Sequence, residues 1–478
     1  MSDQVSWKDY EGVEGFGAAT QQDVDNLNKA LTAGADINAP GSVVAGDGFS
    51  LRVESLESTL KVTTYKMDHI RLWKAIPKLP AYNTVEEYNQ LQEYGSNSDS
   101  AFIAEGNLPE SDDSSYQRKY AVVKFMGTTR SVTHPMTLVT SAIGPVIAQE
   151  TINGTMHLLK QLESALFYGD SSLISVQFDG YEKLITDNSP ATNIIDQRGL
   201  PLSEDILTDA ALTLQDSPNY AQPTNMHLNP KVKADLVKTF FPKERHDTFA
   251  GNKNGMIGTD IRGFTSPAGD IAFDANTFIT DGGGPNAAAI GDSTKRPGTP
   301  TISTSATTPA DAAAMFTADD AGDYFYSVVA VNRYGRSIKV AVDASAIAVA
   351  AGDRMTFGVT PGGTTAVEYY ALYRSQKNGL VGNQRLIKRV ANAAGAGAST
   401  VIDQNFNLPY CTSAFIFQQN LECMSFKQLA PLIKIPLATI DTSIRWAQLL
   451  YGVPLLYCPG KVLMIKNIGR ASGYVGAP

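Results

Sequence analysis

With 478 residues, 43% of them hydrophobic and 18% charged, the chain is globular rather than disordered and too long for one core, so two or three domains are expected. A formal net charge of −9 with no basic tail or stripe argues against sequence-independent binding to nucleic-acid phosphates. The three cysteines, Cys411, Cys423 and Cys458, show no paired spacing, which argues against a disulfide framework or a zinc knuckle and for reduced, partly buried thiols.

The opening MSDQVSWKDYEG lacks the basic-then-apolar pattern of a signal peptide, and apolar runs such as Leu449 to Cys458 fall short of the roughly 18 residues a membrane span needs. A soluble protein made in a cytoplasm is the expectation. Residues 1–50, rich in Gly, Ala, Asp and Asn, read as an extended arm with one short helix from Gln21 to Leu31, ordered only against something else. Strand-like borders follow at Leu51 to Tyr65 and Arg118 to Val132. Between them NTVEEYNQLQEYG predicts a short helix and EGNLPESDDSS a polar tip, which together make a long projecting hairpin.

Residues 136–168 read as a long helix: Ile147, Thr151, Gly154, Leu158, Leu162 and Leu166 recur at steps of three and four on one face, and its main part from Val146 to Tyr168 would be about 34 Å long at 1.5 Å per residue. Pro145 suits its first turn, Gly169 a glycine C-cap, and Gly154 the close approach of another backbone. Further helices are predicted at Ser203 to Gln215 and Pro230 to Phe240, the second entered from a buried strand, MHLNP. Residues 241–258 read as a polar loop.

From RPGTPT, read as a linker, the composition turns to Ala, Thr, Gly and Val. Strands at Gly322 to Ser337, Val367 to Gly379, Arg385 to Val390 and Ser399 to Asn405 predict a small all-β sandwich inserted in another domain. Leu449 to Tyr457 and Lys461 to Asn467 then read as buried strands on either side of a CPG turn, so the main fold closes after the insertion.

No enzyme motif emerges. The Gly-Asp-Ser triplets at Gly169 and Gly291 lack a suitably placed histidine base, and Gly460-Lys461 is followed by Val462, with no hydroxyl for magnesium. Asp281-Gly-Gly-Gly284 reads as a hinge. His69, His134, His157, His227 and His246 have no metal-ligand spacing, and the Asn153-Gly154-Thr155 sequon falls inside a helix. No catalytic, cofactor or metal residue is therefore assigned. Glu105, Glu110, Asp112 and Asp113 at the hairpin tip, with Arg118 and Lys119 on its return strand, are the candidate contacts to a neighbouring subunit.

The order of arm, hairpin, VKFMGTTRSVTHP, long helix, LESALFYGD, FDGYEKLI and NIIDQRGLPLS resembles the major capsid proteins of tailed bacteriophages with the Hong Kong 97-type fold, over about 350 residues, all but the insert. The resemblance implies an α+β chain. It assigns residues 1–50 to the N-terminal arm, 51–134 to the E-loop and flanking strands, and 135–180 to the spine helix of the P domain. Residues 181–294 become the first part of the A domain, 295–408 an immunoglobulin-like insertion, and 409–478 the rest of the A domain and the return to the P domain. It also implies hexamers and pentamers in an icosahedral shell around double-stranded DNA, assembled in the host bacterial cytoplasm, without a cofactor or a membrane. Portal, scaffolding and decoration proteins are the partners it suggests. The family's crosslinking lysine would fall at Lys119 or Lys124, with nothing local to support it. In the insert, YFYSVVAVNRYGRS resembles a fibronectin type III strand and turn, but it precedes YYALYRS instead of following it, as in a circular permutation. The alternative is an adhesion or carbohydrate-binding protein acting through that module.

Overall fold

The computed structural model describes residues 63–95, 102–108, 111–139, 144–240, 261–282, 289–393, 397–438 and 441–471. The expected arm, the 51–62 border, the 241–258 loop, His246 and Glu110 lie outside these residues. The elements below belong to one compact unit spanning Val62–Leu138 and Val146–Pro478.

The long helix runs Val146–Tyr168 and buries Gly154, Leu158, Leu159, Leu162, Leu166 and Phe167; its expected first turns from 136 fall instead in a short separate helix, His134–Leu138. One partner is a four-stranded sheet in the order Lys78–Pro80, Met424–Pro436, Ser443–Leu456, Lys124–Thr133, whose first pair is parallel and the rest antiparallel. Gly154 meets this sheet, though what approaches is a side chain, not a backbone. A Cβ there would stand 2.2 Å from Gln448 Oε1, while Gln448 Nε2 donates to the Thr151 carbonyl at 2.7 Å. Gly169 is likewise a close-approach glycine rather than a left-handed cap. Its carbonyl accepts from Gly180 N at 2.9 Å, and a Cβ would fall 2.5 Å from the Phe178 carbonyl oxygen.

The second sheet has six strands in the order Ile194–Asp196, Val462–Ile468, Thr412–Phe417, Asn225–Leu228, Gly269–Ala275, Gly263–Ser266. Its central strands are buried along nearly their whole length because both faces are covered. Phe415, Phe417, Val462 and Met464 join the long helix's core, whereas Ala414, Ile416, Leu463 and Ile465 pack with Leu207, Leu214, Val232 and Leu236 of the two helices Glu204–Gln215 and Pro230–Phe240. Ser203 caps the first of these, accepting from Ile206 N at 3.4 Å. The segment after the insertion thus serves both sheets. A helix at Tyr181–Asn188 and strands at Thr412–Phe417 and Met424–Pro436 had no separate sequence signal.

Inside the insertion, one sheet contains Gly335–Arg336, Tyr326–Asn332, Tyr369–Arg374 and Arg385–Ala391, with Val340–Ala341 also on Tyr326–Asn332. A second contains Ser399–Asp403, Arg354–Gly362 and Gly298–Thr308, and a third pairs Gly322–Tyr324 with Ile347–Val349. The RPGTPT segment is therefore largely the start of a strand and not a linker, because it finds a ladder partner in Arg354–Gly362. Phe316, Tyr326, Val328, Phe357, Tyr370, Leu372 and Val401 form the core between the sheets.

The expected helix in NTVEEYNQLQEYG is instead a strand, Val85–Glu93, paired antiparallel with Ser115–Val122. The physical reason is its period of two. Glu86, Tyr88 and Gln90 are half-buried, while Val85, Glu87, Asn89 and Leu91 are exposed. A helix would have scattered these residues around its circumference.

Candidate assembly interface

The two strands Val85–Glu93 and Ser115–Val122 form a sheet of their own. One face of this hairpin leans on the strand end at Leu456 and Tyr457. Tyr88 stacks edge-on against Tyr457 at 5.1 Å and donates to the Leu456 carbonyl at 3.3 Å, and Gln90 donates to the Tyr457 carbonyl. Glu86 accepts from the backbone of Tyr82 at 2.8 Å and Asn83 at 3.2 Å and lies 3.6 Å from Lys427. Burial opposes its ionisation, but these donors and the lysine hold its carboxyl below the usual range.

The lead-in to the hairpin is fixed by Glu163 on the long helix. Its carboxylate accepts from the backbone N–H groups of Arg71, Leu72 and Trp73 at 3.1, 2.8 and 2.9 Å and from Asn276 Nδ2 at 2.6 Å. Burial nonetheless raises its pKa against all four donors. Nothing in the sequence singled out Glu163. Its signal, a lone acid among Leu162, Ala165 and Leu166, is visible only once the helix face is known.

Away from its base the hairpin is open. Tyr94, Phe102 and Leu108 are 88%, 85% and 91% exposed, and Tyr116 and Tyr120 on the return strand are 73% each. These large apolar side chains stand uncovered by the chain itself, on an element with little core of its own. The candidate charges divide. Glu105, Asp112 and Asp113 are exposed near the tip. Arg118 bridges across the hairpin to Glu87 at 3.4 Å. Lys119 turns inward and donates to Asn188 at 3.1 Å. Sequence reading aimed at the charges and missed the aromatics, which stood in plain view in SYQRKYAV but read as strand formers. Lys124 donates to the Ser175 carbonyl at 2.7 Å.

Two arginines are among the groups that tie residues 295–408 to the body. Arg198, at φ 49°, donates to the carbonyls of Asn405 and Met315 at 2.8 and 2.6 Å and pairs with Asp320 at 2.9 Å. Arg389 donates to the Tyr168 carbonyl at the end of the long helix at 3.0 Å.

The other motifs are structural where they are described. Asp170 accepts from Ser172 N at 2.9 Å and pairs with Lys183 at 3.1 Å, and Asp292 closes a turn onto Thr294 N at 3.0 Å. His227 is buried between Phe167 and Phe417, with Gln419 donating to its Nε2 at 2.7 Å, and burial pushes its pKa down to about 4. Among the described residues there is no group of three or more His, Cys, Asp or Glu able to hold a metal, and no helix long and apolar enough to cross a membrane. Cysteine spacing misled in one respect. Cys423 and Cys458, 35 positions apart in the sequence, are neighbours at the foot of the hairpin, both free thiols.

No family model matches the chain. Among solved structures it is similar to the capsid of a native GTA particle (TM-score 0.47, 8% identity, 91% of this chain and all of that one) and to a chain from Mycobacterium phage Bobi (TM-score 0.44, 9% identity, 90% and 99%). Among characterised sequences it is similar to the major capsid proteins of Staphylococcus phages K and S25-3, each 26% identical over 459 residues, covering 93% of this chain and 95% of theirs. Over nearly its whole length, then, the chain is a sequence relative of phage major capsid proteins.

Proposed function

We propose that this chain is the major capsid protein of a tailed double-stranded DNA phage, a non-enzymatic subunit of Hong Kong 97 type that assembles in the host bacterial cytoplasm into hexamers and pentamers of an icosahedral shell enclosing the genome. The observation that carries this reading is the hairpin, anchored at Tyr88, Gln90 and Glu163 yet presenting Tyr94, Phe102, Leu108, Tyr116 and Tyr120 to solvent. Such an element gains stability by overlapping a copy of the chain, and repeated heterologous contacts of this kind close into rings. The similarity to phage major capsid proteins over 93% of the chain supports the same reading. Portal, scaffolding and decoration proteins would be its partners, and the DNA is enclosed without sequence-specific contacts.

In this reading the insertion is an immunoglobulin-like module on the outer surface, where it does not obstruct packaged DNA, and it stabilises the shell or binds host-surface glycans. Closed heads with unchanged host adsorption after deletion of residues 295–408 would dismiss both roles. For the shell itself the test is sedimentation and negative-stain microscopy of purified chain. Large regular particles are expected, lost when residues 94–114 are replaced by a two-residue turn. A wild-type chain that stays monomeric at every concentration would overturn the proposal.

A further inference from the structure

The foot of the hairpin carries a feature that shell building does not require. Met424 and Leu456 are paired in the antiparallel ladder, and Cys423 and Cys458 lie just beyond that pair on its two strands. The Cys423 carbonyl accepts from Tyr457 N at 2.8 Å and from Cys458 N at 3.4 Å. A direct N–H to carbonyl contact brings two residues into the range a disulfide bridges, about 4.4–6.8 Å between Cα atoms. The two thiols also act on each other's titration, in opposite directions. Burial is unequal. Cys423 is fully buried, while Cys458 is partly open to solvent, its Sγ 3.6 Å from the Glu422 carbonyl oxygen.

We infer that Cys423 and Cys458 are a redox pair that closes into an intramolecular disulfide when the chain meets a low-molecular-weight disulfide such as oxidised glutathione. The inequality assigns the roles. Cys458 is the accessible nucleophile. The neighbouring Cys423 thiol outweighs burial and, helped by Lys461 against the Glu422 carboxylate, brings its pKa down to about 7. Cys423 is the inner thiol, its pKa raised by its Cys458 neighbour and by burial. Tyr88, the other titratable group facing Cys458, is held neutral by burial. In the first step the Cys458 thiolate attacks one sulfur of oxidised glutathione. That S–S bond breaks, one glutathione leaves as thiolate, and a mixed disulfide remains on Cys458. In the second, Cys423 gives its proton to water and attacks the Cys458 sulfur, expelling the second glutathione. Two protein thiols are oxidised and one glutathione disulfide is reduced to two thiols. The third cysteine has no such partner, and burial pushes its thiol up to about 12.

The bond would close the loop from 423 to 458 around the two longest strands of the helix-backed sheet. It would also fix Tyr457, which Tyr88 and Gln90 grip. The chemistry stands whether or not the chain builds shells. Only its timing rests on the proposed function, with thiols open during assembly in a reducing cytoplasm and closed after release into an oxidising medium.

Purified chain, as free subunit and as any assembled particle, is incubated with oxidised glutathione, alkylated and digested without reductant for mass spectrometry. The expected result is a peptide linking Cys423 to Cys458, with Cys411 alkylated only after unfolding. The thermal midpoint should rise by several degrees in the wild type and stay unchanged in Cys458→Ser. Because Cys423→Ser alters a buried site, the half-open Cys458→Ser variant, with its fold checked by circular dichroism, serves as the decisive control. Recovery of both cysteines alkylated, or of Cys458 only as a stable glutathione adduct, would overturn the inference. A link found in free subunits that never assemble would uphold it while sinking the shell reading.

Discussion

The hairpin and the inserted module are both built from antiparallel strands, yet they solve opposite problems. The module encloses its own apolar side chains, with Tyr326, Phe357 and Tyr370 each at most 2% exposed. Even its charge is internal, since Arg374 pairs with Asp403 at 2.7 Å and donates to Asn405 Oδ1 at 2.6 Å, out of solvent. The hairpin does the reverse, spending its few inward residues on the Leu456–Tyr457 strand end and leaving its aromatics in water. A sandwich needs no neighbour in order to fold, whereas a two-stranded ribbon is marginal by itself. The hairpin therefore has far less core of its own than the module.

The comparison breaks most visibly if the module's charge pair proves dispensable. Arg374→Ala leaves Asp403 buried without its partner, which costs about 3–5 kcal/mol. Hydrogen exchange should accelerate throughout Tyr326–Asn332 and Tyr369–Arg374, while Thr412–Phe417 and Val462–Ile468 keep their protection. Uniform loss of protection would show that the module and body unfold as one.

The body on which both elements rest has its own handle in His227. Burial lowers its pKa to about 4, so between that value and its ordinary 6.5 the unfolded chain binds a proton that the folded chain refuses. Stability from this group is fully present above pH 6.5 and is lost as pH falls towards 4, by about 3 kcal/mol at most. Urea midpoints measured from pH 7.5 down to 4 should slope downward in the wild type and flatten in His227→Gln.

At the foot of the hairpin, Tyr88→Ala removes an edge-on ring contact and one hydrogen bond, together worth about 1–2 kcal/mol. Proteolytic nicking between 94 and 114 should quicken while the global midpoint barely moves. An equal shift in both would place the hairpin inside the cooperative core.

How much of this was legible in the sequence depended on the length of each period. Helical spacing defined the long helix through its end at Tyr168, though not its start, and the module's strands around Tyr326 and Tyr370 announced themselves through β-branched and aromatic runs. Val85–Glu93 was misread because its Glu and Gln favour a helix, and only the ladder to Ser115–Val122 overrules them. The same limit hid the site. Arg118 and Lys119 drew attention as charges, but the structure gives them partners within the chain and leaves Tyr116 and Tyr120 uncovered. Glu163 and the Cys423–Cys458 pair were invisible because their partners lie far away in sequence, and spacing says nothing about contacts that the fold alone creates.

The smallest effect on the subunit is the sharpest test of the contrast. Tyr116 and Tyr120 point away from the body, so Tyr116→Ser with Tyr120→Ser should leave the thermal midpoint and the protection of the free chain where they were. If those rings lie against a neighbouring copy, each is an aromatic anchor of the kind that dominates interface energies, and the double variant should raise the concentration needed for assembly at least tenfold in light scattering. A matched pair on the module, Tyr334→Ser with Ile338→Ser, removes comparable exposed apolar surface and should leave that concentration unchanged. An interface confined to the hairpin gives a loss at the first pair and none at the second; equal losses would spread the contact over the whole surface and dissolve the distinction between the two elements.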